Sequence, residues 1–495
     1  MTHHYGAAID AYKRTAEVGS SDPAVHEGAC KVLFQWIYVD SITGRHDTAK
    51  TRFHEGKEFA ELAIRSDPKR PSAYLCRARI YNTYYSQFTA ASDIEAGILI
   101  TLKLAEEAAI MQPNDAMAQW LVGSQWRRYS SYLWDRGLDE EDATKRAIVF
   151  YDKSLELDPL FLASVREKAA MLRRQARSAE RRGEDPTPYL NLAAAAHTRA
   201  LEIAGSALSA ASSKWEYEFW IASAQFRSGI DPTKALDNGQ RLCDEMLLQQ
   251  PNSPVVKRSC MMTANLRTEL ALATGADPTP SLELQNKFVV SIAAQNSFHE
   301  SYASALITSA RVALARGESP ETDTLRAIEV LRADGEQGLR QMGYAALTRL
   351  RWHVPRRSAT ARMFDEPLEF LAPVLEERRV DPEPFRVAAA IYERRASWLV
   401  DQRKDPADAI MRGLRMVDQS LKRNSRYAPA LVARGDLYMV QARVAKTKAR
   451  AEAARHAKES FDAALVHNKY LASETEANRK EAELMLQEKP ASTSR

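Results

Sequence analysis

Six arginines lie close together between residues 339 and 364, where the chain reads LRQMGYAALTRLRWHVPRRSATARMF and contains no acidic residue. A guanidinium group presents several N–H donors in one plane and therefore pairs well with carboxylates and phosphates. If exposed, the 340–362 segment is suited to an acidic protein or a nucleic-acid backbone. The alternative is an irregular structural repeat whose arginines face water and whose tryptophan is core. The candidate partner-binding residues of this segment are Arg349, Arg351, Trp352, Arg356 and Arg357.

No motif in the sequence indicates catalysis. We find no GxSxG, no HExxH, no GxxxxGK[ST] and no cluster of cysteine and histidine. These motifs supply a nucleophile, metal ligands or a phosphate-binding loop. We therefore expect a protein that is not an enzyme, with no catalytic residues, no cofactor and no metal.

Composition limits the class of protein further. The 495 residues carry a net charge of +4, with 45% hydrophobic and 27% charged residues, which is typical of a folded protein and not of a general nucleic-acid binder. The four cysteines form no CxxC pair, so zinc ribbons and a disulfide scaffold are not expected, and a reducing compartment is the natural reading. The N-terminus lacks the apolar run of a signal peptide, and no window approaches 18 uncharged apolar residues. We expect a cytoplasmic protein with no membrane partner.

One short phrase recurs at an even pitch. It reads GEDPTP at 183–188, GIDPTK at 229–234 and GADPTP at 275–280, so that each copy begins 46 residues after the last. Glycine accepts the left-handed conformation that closes a helix, aspartate caps the next helix, and proline suits its first turn. The phrase therefore predicts a turn between two helices.

A second turn recurs between copies of the first. Its anchor positions are residues 23, 68, 113, 159, 205, 251 and 297, with steps of 45 or 46 residues. The register then loosens, between about 320 and 385, and continues through anchors at roughly 340 and at 382, 425 and 469. Small residues precede the anchors by twelve and by five positions, on one face of a helix. Those residues are Gly56, Thr101, Ala147, Ala193, Gly239, Gly413 and Ala457, and then Ala63, Ala108, Ser154, Ala200, Ser420 and Ala464. The pattern predicts a tandem array of about eleven helix pairs.

The spacing of these small residues, with Phe461 between Ala457 and Ala464, resembles the second helix of the tetratricopeptide repeat. The resemblance implies an all-α fold, a right-handed α-solenoid of about eleven helix-turn-helix repeats with a 45–46 residue period. It would form a single domain over residues 1–486, irregular around 320–385, with a disordered tail at 487–495. In such arrays the first helix of each pair lines a concave groove.

Tetratricopeptide geometry places the groove face at 7, 11, 14 and 18 residues after an anchor. For the anchors at 68, 113 and 159, the candidate partner-binding residues include Arg79, Asn82, Trp120, Arg127, Arg166, Arg173 and Arg177. Such residues suit carboxylates of an acidic peptide. In the alternative interpretation they form a solvated face that is paired internally, with Glu167 and Glu180 nearby.

A narrower resemblance concerns the joints of the form G-x-D-P that follow helices such as VALARG (312–317). With the ending at 464–485, they are similar to the C-terminal helical arrays of large bacterial serine/threonine protein kinases. No kinase motif, neither HRD nor DFG, is present. This resemblance implies a regulatory or sensor module without the catalyst.

The leading hypothesis is a non-catalytic protein-interaction scaffold that binds a partner segment in its concave groove. The partner would be another protein or peptide, acidic in character, and a kinase or other signalling protein is one candidate. The alternatives are a regulatory or sensor module of a bacterial signalling kinase, and binding of nucleic acid or another polyanion through the 340–362 segment, with nucleic acid the less favoured partner.

Overall fold

The computed structural model describes residues 2–18, 22–42, 45–87, 94–205, 207–293, 298–332, 336–376 and 379–487. These residues form α-helices joined by turns, and none of them lies in a β-strand. The all-α fold class is therefore as predicted. Contacts divide the chain into two compact units, which comprise residues 1–175 with 191–205, and residues 176–190 with 206–495.

The helices of the first unit follow one another with short connections. They are α1 (Thr2–Glu17), α2 (Pro23–Ile42), α3 (His46–Ser66), α4 (Pro71–Gln87), α5 (Ile94–Met111), α6 (Ala116–Asp135) and α7 (Glu141–Leu157). Two further helices, α8 (Leu162–Arg181) and α9 (Thr187–Ala204), contribute residues to both units.

The remaining helices belong to the second unit. They are α10 (Ala207–Arg227), α11 (Thr233–Gln249), α12 (Pro254–Thr274), α13 (Thr279–Ala293), α14 (His299–Ala315), α15 (Glu321–Leu331), α16 (Glu336–His353), α17 (Arg362–Leu371), α18 (Glu383–Asp401), α19 (Ala407–Arg423), α20 (Ala428–Val444), α21 (Thr447–His467) and α22 (Ala472–Gln487). Even-numbered helices from α2 to α20 are the first helices of pairs, and odd-numbered helices from α3 to α21 are the second helices. The described residues thus hold ten complete pairs between α1 and α22, which agrees with the predicted array of about eleven.

The recurring glycine–aspartate phrase forms the predicted turns. Gly183, Gly229 and Gly275 have φ angles of +77°, +71° and +73°. Two residues after each glycine, the aspartate Oδ1 accepts a hydrogen bond from the backbone N–H of a threonine at the start of the next helix, at 2.9, 3.0 and 2.9 Å. The glycine ends one helix and the aspartate orders the start of the next.

The small residues in the two repeating positions are buried, as their spacing predicts. Every member of both sets lies in the interior: Gly56, Ala63, Thr101, Ala108, Ala147, Ser154, Ala193, Ala200, Gly239, Gly413, Ser420, Ala457 and Ala464. Close approach between neighbouring helices explains this choice of residue. A Cβ atom on Gly413, for example, would lie 2.7 Å from a methyl carbon of Leu437. Each pair thus completes its core only by packing on the next.

The irregular region around 320–385 contains shortened helices. It holds α15, with 11 residues, followed by the complete pair α16 and α17, of which α17 has only 10 residues and contains Pro367. The arginine-rich segment spans this pair, and its helices leave only residues 354–361 between them. Most of the segment is therefore helical, and no long loop projects from it.

The structure contains two disulfide bonds, which the absence of a CxxC pair did not predict. Cys30 of α2 is bonded to Cys76 of α4, and Cys243 of α11 is bonded to Cys260 of α12. All four residues are buried. The first pair is 46 residues apart, one residue more than the step between the anchors at 23 and 68, so the repeat places the two cysteines near each other on successive first helices. Looking only for CxxC spacing missed this relationship.

The C-terminal helix α22 ends at Gln487. The rest of the tail that was expected to be disordered, residues 488–495, lies outside the described residues. The single-domain extent over residues 1–486 stays a prediction.

Candidate functional site

The predicted groove residues of the first unit contact neighbouring repeats. The guanidinium of Arg79 lies 4.1 Å from the ring centre of Phe34. Asn82 Oδ1 accepts a hydrogen bond from Gln125 Nε2 at 2.8 Å. Arg127 Nε donates to Glu167 Oε2 at 3.2 Å. These contacts join helices one repeat apart. Glu167 is one of the two acids that the alternative interpretation of the sequence named as internal partners of the groove arginines.

The other predicted groove residues differ in exposure. Trp120 is partly buried, and its ring meets Phe161 edge-on with ring centres 6.2 Å apart. Arg166 is exposed, and Arg173 is partly buried. In the second unit, the guanidinium of Arg177 lies 3.9 Å from the ring centre of Trp220. The binding role of these residues stays a prediction.

The arginine-rich segment divides into a paired part and an exposed part. Arg349 donates to Glu321 Oε1 at 2.5 Å, and Arg351 donates to Glu474 of α22. The guanidinium of Arg356 lies 3.2 Å from the ring centre of Trp352. Arg356, Arg357 and Arg362 are exposed. Trp352 is only partly buried, so neither sequence interpretation describes the whole segment.

Three side chains close the second unit on itself. The amide of Asn424 donates to the carbonyl oxygen of Glu180 at 3.4 Å, and that of Asn468 donates to the carbonyl of Arg227 at 3.0 Å. The hydroxyl of Ser473 donates to the carbonyl of Ala273 at 3.2 Å. The three accepting carbonyls lie in the last turns of α8, α10 and α12, where backbone acceptors lack helical partners.

These contacts help to enclose a cavity of about 730 Å³ within the second unit. The first helices α12, α14, α16 and α18 line it, together with the turns that carry the closing contacts. Its wall combines ionic, tyrosine and aliphatic side chains, which include Glu269, Arg311, Tyr344, Arg351, Glu383, Arg386, Tyr427, Leu347 and Glu474. A concave site with a few converging polar groups is the usual form of a ligand site.

Three arginines from three consecutive first helices line this cavity. Arg311 of α14 donates to Glu269, Arg351 of α16 donates to Glu474, and Arg386 of α18 donates to Glu383. The three pairs balance in charge. Glu269 and Glu383 receive further hydrogen bonds from the hydroxyls of Thr308, at 2.7 Å, and of Tyr427. Both oxygens of these two carboxylates are thereby engaged.

Glu474 belongs to the last helix, and the charges of all three arginines act on its pKa. The charge of Arg351 lowers the pKa of Glu474 to about 2, against the opposing effect of burial and with further contributions from Arg311 and Arg386. Glu474 also lies in the first turn of α22, where the helix dipole favours a negative charge. Its carboxylate is therefore ionised at neutral pH.

A second ionic cluster joins α22 to α18 and α20. Asn478 Nδ2 donates to Asp436 Oδ1 at 2.7 Å, and Arg394 pairs with Glu393 at 2.8 Å. Burial, followed by the charge of Glu393, raises the pKa of Asp436 to about 7. Arg443 adds a hydrogen bond to Asn478 Oδ1 at 2.9 Å. This cluster keeps an acid close to its titration range at neutral pH.

The sequence rule for groove positions also selects two residues of the cavity, Glu269 and Arg311, and three of the second ionic cluster. Applied to the anchors at 251, 297, 382 and 425, the offsets of 11, 14 and 18 residues select Glu269, Arg311, Glu393, Asp436 and Arg443. Sequence reasoning applied the rule only to the three earlier anchors and missed these residues. Glu474 follows no such offset, and its pairing with Arg351 spans 123 residues of sequence.

Among the residues that the structure describes, no three His, Cys, Asp or Glu side chains are grouped so as to hold a metal ion. No helix within the described ranges has the length and apolar character needed to cross a membrane.

Known proteins resemble this chain in structure and not in sequence. No family model matches it, and neither does any curated protein. A structure of yeast Tom70 is similar at 12% identity over 98% of this chain and 93% of its own, with a TM-score of 0.40. A human IFIT1 dimer with m7Gppp-AAAA is similar at 11% identity over 98% and 95%, with a TM-score of 0.45. The TPR domain of P58(IPK) is similar at 13% identity over 93% and 99%, with a TM-score of 0.23. The chain's own helix pairs and their pitch of 45–46 residues make it a tetratricopeptide-like helical repeat array.

Proposed function

We propose that this chain is a non-catalytic interaction scaffold and that the cavity of its second unit binds an acidic segment of a partner protein. The observation that carries the proposal is the convergence of Arg311, Arg351 and Arg386, from three consecutive first helices, on one cavity of about 730 Å³. That volume accommodates a few side chains of a partner.

An excess of hydrogen-bond donors favours an acidic ligand. Within the described residues, Arg311 uses Nη1 to reach Glu269, and Arg351 uses Nη2 to reach Glu474, although each guanidinium carries five N–H donors. The oxygens of Glu269 and Glu383 are in contrast already engaged. The unused N–H donors of Arg311 and Arg351 therefore favour a ligand that brings acceptors to these two side chains, although Glu180, Glu184 and Asp185 also line the cavity.

The tyrosines add surface for the rest of the ligand. Tyr344 lies beneath the guanidinium of Arg386, 4.9 Å from ring centre to Cζ, and Tyr470 packs against Phe226 with ring centres 5.3 Å apart. Tyrosine buries a large apolar area at low cost in conformational entropy. We therefore expect the partner segment to combine carboxylates with apolar side chains.

Fluorescence anisotropy with labelled hexaglutamate and hexaglutamine peptides tests the proposal on the full chain. Hexaglutamate should bind in the micromolar range and hexaglutamine should not. Arg311→Gln and Arg351→Gln should each weaken hexaglutamate binding by about tenfold or more, since charge-assisted hydrogen bonds are lost. The control is Arg412→Gln, because Arg412 forms an exposed pair with Asp408 within α19. Equal binding of both peptides, or equal loss in the control, would contradict the proposal.

The resemblance to the C-terminal arrays of bacterial serine/threonine protein kinases suggests a more specific partner. In that form of the proposal, the acidic segment belongs to a bacterial signalling kinase, and the array serves as its regulatory or sensor module. Capture of a kinase by the wild-type chain and not by Arg351→Gln supports this form. Capture that is indifferent to Arg351 contradicts it.

The exposed turn after α16 favours a second candidate function, binding of nucleic acid or another polyanion. Arg356, Arg357 and Arg362 lie there at the surface. Replacing these three arginines with glutamine should abolish binding of a labelled single-stranded oligonucleotide. Wild-type binding should fall steeply as salt rises, as expected for phosphate contacts. An oligonucleotide that binds neither form excludes this candidate.

A further inference from the structure

We infer that Arg351, with Arg311 and Arg386 beside it, forms a carboxylate-binding subsite of the cavity, and that Glu474 of α22 occupies this subsite as an internal competitor of the partner. The inference rests on the proposed function and specifies where the partner's carboxylate binds. It also assigns a role to the last helix, α22.

Glu474 is placed where a ligand would reach it. It lines the cavity, and its side chain remains 37% exposed while that of Arg351 remains 31% exposed. Both members of the pair are therefore accessible from the cavity. The pairs of Arg311 with Glu269 and of Arg386 with Glu383 also line it, but Glu383 is buried, and both carboxylates are held by a second hydrogen-bond donor.

The attachment of α22 lets the side chain of Glu474 move without unfolding the helix. Ala482 and Met485 anchor the later turns in a hydrophobic cluster with Phe461. Asn478 and Glu481 hold the middle of the helix through Asp436 and Arg443. Glu474 itself lies one turn before these contacts, and Arg351 is its hydrogen-bond partner among the described residues.

Replacing the Glu474 carboxylate by a partner carboxylate at Arg351 changes the free energy of the protein little. Glu474 keeps Arg351 paired when no ligand is bound, so an unpaired guanidinium is avoided. A partner carboxylate that replaces it recovers the same interaction, and Glu474 then turns toward water. The apparent affinity for the partner equals the intrinsic affinity multiplied by the fraction of time that Glu474 leaves the subsite free.

A small dicarboxylate tests the subsite without any partner. Thermal unfolding of the wild type, Glu474→Gln and Glu476→Gln would be measured with glutarate and with sodium chloride at equal ionic strength. Glu476 is the matched control, because it lies on the same helix and pairs with exposed Lys480. Glutarate should raise the unfolding midpoint of Glu474→Gln by about 2–4 °C more than that of the other two proteins. Adding Arg351→Gln to Glu474→Gln should abolish this difference. An equal shift in all proteins would overturn the inference.

Peptide binding then separates the inference from the proposed function. Hexaglutamate should bind Glu474→Gln about tenfold more tightly than the wild type, because one charge-assisted competitor has been removed. Equal affinity for both proteins overturns the internal competitor and leaves the scaffold function intact. A specific glutarate effect without peptide binding supports the subsite and contradicts the acidic-peptide partner.

Discussion

The side-chain amide of Asn424 donates a hydrogen bond to the carbonyl oxygen of Glu180, a residue 244 positions earlier in the chain. Gly183, in the turn that follows, lies so close that an added Cβ would be 2.5 Å from Asn424 Oδ1. One repeat further on, Asn468 repeats the arrangement with Arg227 and Gly229. The glycine–aspartate phrase therefore both connects helices and provides the surface on which later turns close the second unit.

The closing contacts predict that glycines with the same backbone conformation differ in tolerance. Gly183, Gly229, Gly275 and Gly317 all have φ between +71° and +77°. An alanine Cβ would meet neighbouring atoms at 2.5 and 2.8 Å at the first two positions, and nothing within 4 Å at the last two. Alanine at Gly275 or Gly317 should cost about 1–2 kcal/mol of the free energy of unfolding, the cost of a left-handed residue.

Alanine at Gly183 or Gly229 should cost about 1–3 kcal/mol more, because the closing contacts are also forced apart. Urea unfolding of the four single variants measures these costs. Equal destabilisation at all four positions would show that closure contributes nothing to stability.

Replacing Asn468 by aspartate should destabilise the second unit. Asn468 Oδ1 accepts from Tyr470 N–H at 2.9 Å, and a carboxylate preserves that contact. The amide that donates to the carbonyls of Phe226 and Arg227 is lost, and a carboxylate oxygen faces them instead. We expect a cost of about 1–3 kcal/mol, the range for an unsatisfied polar group.

The reverse exchange provides the control for Asn468→Asp. Asp158 accepts from the Leu160 N–H at 3.0 Å in the equivalent turn of an earlier repeat. Asp158→Asn makes the reverse exchange of the same terminal side-chain atom at a partly exposed residue and should leave stability nearly unchanged. Urea unfolding that shows similar losses for both variants would contradict the closing role of Asn468.

The partly buried acid Asp436 should make the free energy of unfolding depend on pH. Its pKa is raised from 3.8 to about 7 in the folded protein, so the folded state binds a proton more tightly than the unfolded state. The contribution of this group to stability is fully present below about pH 4 and is lost as the pH rises to about 7. The effect of Glu474 has the opposite sign, because folding lowers its pKa. Its contribution to stability is present above pH 4.5 and is lost as the pH falls below that value.

The Asp436→Asn variant isolates the pH dependence of stability that is due to Asp436. The amide stays neutral, so the difference in melting temperature between variant and wild type should move in favour of the variant as the pH rises from 4 to 8. Glu474→Gln should change the pH profile only on the acid side. A constant difference between Asp436→Asn and the wild type over this range would show that Asp436 titrates normally.

Because of the two disulfides, we expect the stability of the protein to depend on reductant. Peptide mapping without reduction should recover Cys30 linked to Cys76 and Cys243 linked to Cys260. Reduction should lower the free energy of unfolding by roughly 3 kcal/mol for the shorter loop, because the unfolded chain regains freedom. Complete alkylation of all four cysteines in unreduced protein, or a melting temperature indifferent to dithiothreitol, would contradict the bonds.

The sequence determined the elements whose causes are local. The even pitch of the phrase at Gly183, Gly229 and Gly275 predicted the turns, and the small residues predicted the buried faces, because capping and close helix packing depend on residues within a few positions. The helix pairs and the all-α fold follow from these. The same rule, extended to later repeats, places Glu269, Arg311 and Asp436 on the inner face.

Only the tertiary structure decided how distant repeats meet. In repeat arrays each pair is rotated slightly against the next, so that contacts between distant repeats depend on the sum of these rotations. The contacts of Asn424 with Glu180 and of Glu474 with Arg351 are of this kind. No local pattern encodes a sum over several repeats, so neither the cavity nor its internal carboxylate was visible in the sequence. The disulfide between Cys243 and Cys260 likewise depends on the packing of α11 on α12, since its spacing of 17 residues follows no repeat.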